Sequence, residues 1–423
     1  MIGARPHTIR ASWLLPVEGV PVKDAVVTIE DGRIQSIEQG SPGAAQIDFG
    51  QAAIFPGFVN AHTHLDLPAL GEPVDPLVPV DQIDWLRRMI LHRRGGAGEP
   101  LDTVTTRNLA ACLSAGTTTV ADISGDGASW NVLAASPVRG TVFHELVGLK
   151  RERGLETSAR AFAWLRTAQA SERALAGRLR AGLSPHAPYS TAGWLYERAA
   201  TAGVPLSTHL AELPEEARLV ATRDGRLRAC FEELGVWDSD WEPLGSRPAD
   251  YLRKGSLRTA DWLVAHGTYL DASDFWQFLP TAAPDRQRVA VAYCPRSTAY
   301  FGHGPHPFKE LLARGTVVCL GTDSLASSPT LSMLDEIKFL HGLDPSLPVN
   351  LLLTMATLSG AWALRAEREV GSVWPGKRAD LAIVRVPNQT RRDPHDLLVE
   401  PEAHVVATLI NGTVVFADGE ITT

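Results

Sequence analysis

Two histidines two positions apart, His62 and His64, are the residues with the clearest chemical meaning in this sequence. They end an apolar run that begins at Phe55. On a β-strand, a spacing of two residues points both side chains to the same face. Two imidazoles at the end of a buried strand could bind a metal ion, although hydrogen bonds to other groups could also satisfy them. A metal site therefore requires that the rest of the chain supply further ligands.

Potential ligands and acid/base groups end four other apolar runs of the sequence. These groups are His186, His209 with Glu212 three residues later, His266 and Asp323. Imidazoles together with a carboxylate are ligands typical of zinc or iron(II). A metal ion held by them would lower the pKa of bound water toward neutrality. Glu212 could then move protons between this water and a substrate nitrogen, and His266 could hydrogen-bond the nucleophile.

The elements that must position these residues follow an alternating pattern from about residue 58 to 370. Each apolar run precedes an Ala/Leu/Arg-rich segment compatible with a helix; the runs are Ile54 to His62, Thr118 to Ile123, Gly140 to Val147, Ala181 to His186, Val204 to His209, Trp262 to His266, Val289 to Cys294 and Thr316 to Asp323. Eight such units predict an α/β fold, a (β/α)8 TIM barrel, whose active site lies at the carboxyl ends of the strands. A doubly wound open sheet is the alternative.

The two ends of the chain are rich in predicted β-strands rather than alternating. Asp31-Gly32 and Asn411-Gly412 each separate two alternating runs and predict tight hairpins. We therefore predict a small β-sandwich formed jointly by residues 1–57 and 371–423, and a catalytic barrel domain at 58–370. The tryptophan-containing segment 214–261 could be a lid over the pocket or a helix followed by a surface loop.

Composition excludes several classes of function. A formal net charge of −8 argues against a nucleic-acid-binding protein. No uninterrupted apolar run is long enough to span a bilayer. The four cysteines form no Cys-x-x-Cys motif, and no apolar leader follows Met1, which predicts a cytoplasmic protein with reduced thiols.

Taken together, the motifs resemble the amidohydrolase superfamily, in the branch that contains cytosine, guanine and S-adenosylhomocysteine deaminases and triazine hydrolases. The matching pieces, in the order of that family, are Pro56-Gly57-Phe58-Val59-Asn60-Ala61-His62-Thr63-His64, Pro185-His186-Ala187-Pro188-Tyr189, His209-Leu210-Ala211-Glu212, His266-Gly267, Cys294-Pro295-Arg296-Ser297 and Leu320-Gly321-Thr322-Asp323-Ser324. The resemblance implies a barrel flanked by a split β-sandwich, and a homodimer is common among such proteins.

The resemblance also implies a role for each site residue. Metal ligation is implied for His62, His64, His209 and Asp323. Glu212 would be the proton shuttle, His266 would contact the nucleophilic water, His186 would contact the substrate, and Asp323 would also accept a proton from the water. No lysine stands at the end of strand four, where binuclear branches carry a carbamylated bridge, so one divalent ion is expected. Zinc is the first choice, and iron or manganese would also suit these ligands.

The sequence favours a deaminase that releases ammonia from a small N-heterocyclic substrate resembling a purine or an adenine nucleoside. An acidic 5′ substituent, as in S-adenosylhomocysteine or 6-amino-6-deoxyfutalosine, could pair with Arg151 and Arg153, while Trp85 could pack on the sugar or base. The alternatives are a dehalogenating or C–N hydrolysing enzyme of the triazine hydrolase type and a catalytically inactive scaffold.

One motif departs from the family pattern. Thr298 follows Cys294-Pro295-Arg296-Ser297 where deaminases of this branch commonly have asparagine. The later His303 and His306 are interpreted as loop or supporting groups rather than ligands, because the expected ligand set is already complete.

Overall fold

The computed structural model describes residues 6–41, 45–71, 74–95, 98–172, 175–271, 274, 287–388 and 393–419. The β-strands are β1 (His7–Leu14), β2 (Val22–Glu30), β3 (Arg33–Gln39), β4 (Ile47–Asp48), β5 (Ala52–Pro56), β6 (Phe58–Thr63), β7 (Thr117–Ser124), β8 (Arg139–Leu146), β9 (Leu179–Pro185), β10 (Leu206–Leu210), β11 (Trp262–His266), β12 (Val289–Tyr293), β13 (Val317–Leu320), β14 (Leu381–Arg385), β15 (His404–Ile410) and β16 (Thr413–Ala417).

The α-helices of the same residues are α1 (Gln82–Gly95), α2 (Leu101–Ser114), α3 (Ser129–Ala135), α4 (Arg151–Glu172), α5 (Gly193–Ala200), α6 (Pro214–Thr222), α7 (Arg226–Glu233), α8 (Pro295–Tyr300), α9 (Phe308–Ala313), α10 (Met333–Leu343), α11 (Val349–Met355) and α12 (Leu358–Ala363). Short 3-10 helices span Pro248–Leu252, Gly255–Thr259 and Pro394–Val399. Among the described helices, none combines the length and apolar character needed to cross a membrane.

Strands β6 to β13 form a closed parallel barrel. Each pairs in parallel with the next along the chain. The two edges are joined because the carbonyl of His62 accepts the backbone N–H groups of Thr322 and Asp323, at 3.1 and 3.0 Å. The prediction of a (β/α)8 barrel is confirmed, and the alternative of an open sheet is wrong, since an open sheet would leave these edges unpaired.

The predicted first barrel strand proves to be two strands. β5 pairs with β1 and β14 in a different sheet, and the barrel begins only at β6, after Gly57. A side chain at Gly57 would lie 2.2 Å from the Oγ1 atom of Thr118, so only glycine fits at this junction. The prediction was wrong here because Ile54–Pro56 is as apolar as the barrel strand that follows.

The remaining strands from both ends of the chain share one sheet. Its order is β16-β15-β14-β5-β1-β2-β3, and β4 pairs with β1. Both predicted hairpins are present, and Asp31, Gly32, Asn411 and Gly412 all have the positive φ that such tight turns require. The prediction of a joint terminal β-structure is therefore confirmed, while the exact domain boundaries at residues 57 and 371 stay a prediction.

The segment 214–261 contains α6 and α7, followed by irregular chain and two short 3-10 helices. Trp241 is buried within a cluster that includes Phe231 of α7 and Ile83 and Leu86 of α1. Phe231 also faces the cavity described below. The segment thus forms a wall of that cavity.

Candidate active site

A cavity of about 650 Å³ opens at the carboxyl ends of the barrel strands. Its inner part is lined by the polar strand-end residues His64, Glu145, His186, His209, Glu212, His266 and Asp323. Its outer part is lined by apolar side chains such as Trp85 and Met89 of α1 and by basic side chains. The active-site prediction from strand ends therefore agrees with the position of this cavity.

An irregularity in β6 aims His62 at the cavity side of the barrel. Val59 and Ala61 pack in the barrel interior with residues of five other barrel strands. Strict alternation would then turn His62 outward. Between Asn60 and Thr63, however, β6 has one residue more than the facing part of β7, and such a bulge redirects the following side chains.

Four predicted ligands converge at one point. Nε2 of His64 lies 3.3 Å from Nε2 of His209. Oδ1 of Asp323 lies 3.8 Å from Nε2 of His62 and 3.7 Å from Nε2 of His64. The ligand atoms of the three histidines all lie within 4.8 Å of one another, a spacing suited to holding one ion.

The hydrogen-bonding state of these histidines fits a metal ion. His62 is fully buried, yet neither of its ring nitrogens has a hydrogen-bond partner among the described residues. Buried polar groups are normally paired, so this orphaned imidazole requires a further ligand. Burial, with the neighbouring histidines, lowers the pKa of His62 well below its usual range, which keeps the ring in the neutral form that binds metals.

His209 and Asp323 are oriented by neighbours of their own. Nδ1 of His209 donates to the backbone carbonyl of His186 at 3.0 Å, which leaves Nε2 free for a metal. The hydroxyls of Ser297 and Ser327 donate to Oδ2 of Asp323, each at 2.8 Å. Burial opposes ionisation of Asp323, but His266, His64 and these hydroxyls outweigh burial and lower the pKa of its carboxyl.

Glu212 lies beside this cluster with both oxygens occupied. Oε2 accepts the hydroxyl of Tyr189 at 2.9 Å, and Oε1 accepts the side-chain amide of Gln82. Nε2 of His266 is 3.7 Å from Oε1. Burial raises the pKa of Glu212 despite these donors, which suits a residue that must both take up and release a proton.

His303 and His306 contact Gln82 and His266, respectively. His266 is the last residue of β11 and has a φ of 67°, a rare conformation for a non-glycine residue. Its carbonyl accepts Nε2–H of His306 at 2.6 Å. His303 contacts Gln82 rather than the cluster, with 2.9 Å between its Nε2 and Oε1 of Gln82. Both later histidines thus lie behind the site, as the sequence interpretation expects of supporting groups.

The three predicted contacts to the outer part of a substrate have different locations. Trp85 lines the cavity and is fixed by a 2.8 Å hydrogen bond from its indole to the carbonyl of Ala326. Arg153 also lines the cavity. Arg151 instead stacks on the ring of Trp194 at 4.6 Å and is not among the residues that line the cavity.

The sequence patterns gave no role to Glu145, Gln82 or Tyr189, although Tyr189 ends the matching piece that begins at Pro185. Glu145 could have been found by the strand-end rule, because it lies two residues before the end of the run Gly140 to Val147. Gln82 begins α1, and Tyr189 follows β9 by four residues, so neither has a strand-end position that would reveal it. At Thr298, where the sequence departs from the family pattern, the side-chain hydroxyl is buried and has no hydrogen-bond partner among the described residues.

Comparison with known proteins agrees with this geometry. A model of the amidohydrolase family matches residues 53–415. The chain belongs to the amidohydrolase family. It is 30% identical to the 5-methylthioadenosine/S-adenosylhomocysteine deaminase of Moorella thermoacetica, over 98% of this chain and 95% of that protein.

Two solved structures share the fold. The aminofutalosine deaminase of Helicobacter pylori, in complex with methylthio-coformycin, superposes with a TM-score of 0.78 at 22% identity, covering 97% of this chain and 100% of that one. The atrazine chlorohydrolase of Arthrobacter aurescens, complexed with zinc, has a TM-score of 0.77 at 21% identity, covering 97% and 95%. At these identities the likeness extends to the fold alone.

Proposed function

We propose that this amidohydrolase is a metal-dependent deaminase that converts an adenine nucleoside to its 6-oxo form and releases ammonia. The observation that carries the proposal is the position of Glu212 beside the convergent His62, His64, His209 and Asp323. A buried carboxyl group with a raised pKa, held by two donors, is suited to protonating a ring nitrogen next to the carbon under attack.

The metal would be held by the three histidines and Oδ1 of Asp323, with zinc as the proposed ion and iron or manganese as alternatives. Such an ion supplies the Lewis acidity that makes water a competent nucleophile at neutral pH. The unpartnered nitrogens of His62 support this proposal. The identity of the ion does not follow from these ligands, which all three metals accept.

The protein groups then move protons in a balanced sequence. Water adds to the carbon that bears the amino group while ionised Glu212 takes one of its protons and delivers it to the adjacent ring nitrogen. Asp323 takes the remaining proton of the new hydroxyl through Oδ1 and passes it to the amino group. The C–N bond then breaks, ammonia leaves and the C=O bond forms, while His266 hydrogen-bonds the new oxygen; both carboxylates end ionised, as they began. Burial of all three groups excludes bulk water and strengthens these interactions.

The outer cavity supports a substrate with an acidic substituent. Five cationic side chains line this part of the pocket: Arg93, Arg94, Lys150, Arg153 and Arg160. A carboxylate at the far end of a 5′ substituent would meet this group of charges. S-Adenosylhomocysteine and 6-amino-6-deoxyfutalosine both carry such a group. The Moorella relative is named for S-adenosylhomocysteine as well as for the uncharged 5-methylthioadenosine, and the Helicobacter protein is named an aminofutalosine deaminase.

Hydrolysis of a halogenated triazine is the second candidate, because the atrazine chlorohydrolase has the same fold. An inactive scaffold is disfavoured because all four expected ligand side chains are present and converge. The cationic outer cavity favours the nucleoside, since an uncharged triazine offers no partner for these side chains.

An ammonia-release screen tests the proposal. Protein of measured metal content would be incubated with adenosine, 5′-methylthioadenosine, S-adenosylhomocysteine, 6-amino-6-deoxyfutalosine, guanine, cytosine and a chlorotriazine. We expect ammonia from the adenine nucleosides and no chloride from the triazine. Glu212→Gln should keep the metal but lose roughly 10²- to 10⁴-fold in kcat. Chloride release, or no ammonia from any adenine nucleoside by metal-replete protein, would overturn the proposal.

A further inference from the structure

The free oxygen of Glu145 is an unexplained feature of the cavity. The side chain of Glu145 is only 2% exposed, and its Oε1 has no hydrogen-bond partner among the described residues. Its other oxygen, Oε2, pairs with the guanidinium of Arg93 at 3.2 Å. Because a buried carboxylate oxygen is costly to leave unpaired, Oε1 is expected to accept a hydrogen bond from a bound molecule.

His186 faces the same oxygen. Its Nδ1 lies 2.6 Å from the hydroxyl of Ser190, and its Nε2 lies 3.9 Å from Oε1 of Glu145. That separation is too long for a direct hydrogen bond. A carboxylate in front of Nε2 favours the tautomer with the proton on Nε2. In that tautomer the Ser190 hydroxyl, which also has the carbonyl of Ala187 within reach at 3.3 Å, donates to the nearer Nδ1. The cavity wall therefore presents a donor and an acceptor side by side.

A neutral group that both accepts and donates a hydrogen bond complements this pair. A hydroxyl can accept from Nε2 of His186 and donate to Oε1 of Glu145 at the same time. A substrate ammonium group fits less well, because Arg93 already balances the charge of Glu145 and Nε2–H would repel a second cation. The same argument disfavours a second metal ion at this position.

We propose that Glu145, together with His186, binds a sugar hydroxyl of the nucleoside substrate and makes the enzyme selective for ribonucleosides. This inference rests on the proposed function, since it requires a nucleoside in the cavity. It assigns to Glu145 a part in choosing the substrate, separate from the proton transfers of Glu212 and Asp323.

Deoxynucleosides test the inference with the unmodified enzyme. The values of kcat/KM for adenosine, 2′-deoxyadenosine and 3′-deoxyadenosine would be compared. Loss of the bound hydroxyl leaves a charged acceptor unpaired, so at least one deoxy substrate should react roughly 10- to 150-fold more slowly. Equal values for all three substrates would overturn the inference while leaving the proposed deamination intact. Absence of ammonia from these three and from the other adenine nucleosides of the screen would instead contradict the proposed function.

The Glu145→Gln variant tests the assignment to this residue. We expect its kcat/KM for adenosine to fall by about the factor that separates adenosine from the slower deoxy substrate in wild type. The kcat/KM for the deoxy substrate should change by no more than about threefold. The ribo/deoxy ratio, which is kcat/KM for adenosine divided by kcat/KM for the deoxy substrate, should therefore approach one. Both values of kcat/KM are measured on one preparation. A reduced fraction of folded protein lowers both equally and leaves their ratio unchanged.

Glu197→Gln is the matched control, because Glu197 is an exposed residue of α5 outside the cavity. Its ribo/deoxy ratio should equal that of wild type. A wild-type ratio in Glu145→Gln would contradict the assignment. If Glu145→Gln cannot be prepared folded, Glu145→Asp provides the same test, since the shorter side chain withdraws the carboxylate from the hydroxyl.

Discussion

The inner and outer parts of the cavity are built differently. Inner side chains such as His64 and Asp323 are almost fully buried and come from the ends of barrel strands or the residues just after them. Outer side chains such as Arg153 come from helices, and Arg153 is 52% exposed. The inner part is fixed by neighbours on several strands, whereas the outer part depends on single helix positions.

This difference separates the reaction from the choice of substrate. Oδ2 of Asp323 is held by two serine hydroxyls, so Oδ1 has little freedom to move. Arg153 has one ion-pair partner, Glu156, which is itself exposed. Fixed groups suit chemistry that needs accurate geometry, and exposed helix positions can change without disturbing the barrel. Substitutions of inner residues should therefore reduce activity much more than substitutions of outer residues.

Removal of an inner ligand should have the largest effect. We expect His209→Ala to lose most of its bound metal and to lower kcat by at least about 10³-fold, because the site loses one of its four ligands and water is not activated without the ion. Metal analysis and ammonia release measure the two effects. His404→Ala, at an exposed position of β15, is the matched control and should retain both. Full metal content in the His209 variant would contradict the ligand assignment.

Replacement of a positioning residue should have an intermediate effect. Gln82 donates to Glu212 and contacts His303, so Gln82→Leu frees one carboxylate oxygen. We expect kcat to fall about 10- to 100-fold. The lost hydrogen bond also lowered the pKa of Glu212, and its removal should raise that pKa further.

The pH profile separates this role from simple structural damage. Activity that begins with ionised Glu212 is lost as pH falls through its pKa, so the acidic limb of kcat should move to higher pH in Gln82→Leu. His303→Gln should move the limb in the same direction by a smaller amount. A lower kcat with an unshifted limb would mean that Gln82 acts only in folding.

Outer replacements should have the smallest effect, confined to KM. Arg153→Gln is expected to raise KM for an acidic nucleoside roughly 3- to 10-fold, because one exposed ion pair contributes only a small binding free energy. The KM for adenosine should stay unchanged. Arg151→Gln is the comparison variant, because Arg151 stacks on Trp194 and does not line the cavity. Equal effects of the two substitutions would contradict the distinction between them.

The same contrast explains what the sequence could predict. The inner residues stand at strand ends, and apolar runs make strand ends visible in a sequence; His209, His266 and Asp323 were found in this way. Gln82 lies on a helix and Tyr189 lies in a loop. No periodic pattern in the sequence indicates that either side chain contacts Glu212. The redirection of His62 depends on a bulge that the local sequence does not reveal.

The split between β5 and β6 was also beyond prediction. Both segments are apolar, and their membership in different sheets follows from long-range pairing of β5 with β14. Likewise Arg151 and Arg153 are close in sequence, but only the packing of α4 decides which of them lines the cavity.

The single-residue junction at Gly57 has a consequence for how the protein folds. The strand that carries His62 is continuous with β5, which is completed only by β14, from the far end of the chain. Pairings between such distant segments form slowly, because a long loop must close before any contact is gained. β1 can pair with one edge of β5 early in synthesis, but the other edge stays unpaired until β14 has been made. Folding is thus expected to finish after translation rather than strand by strand.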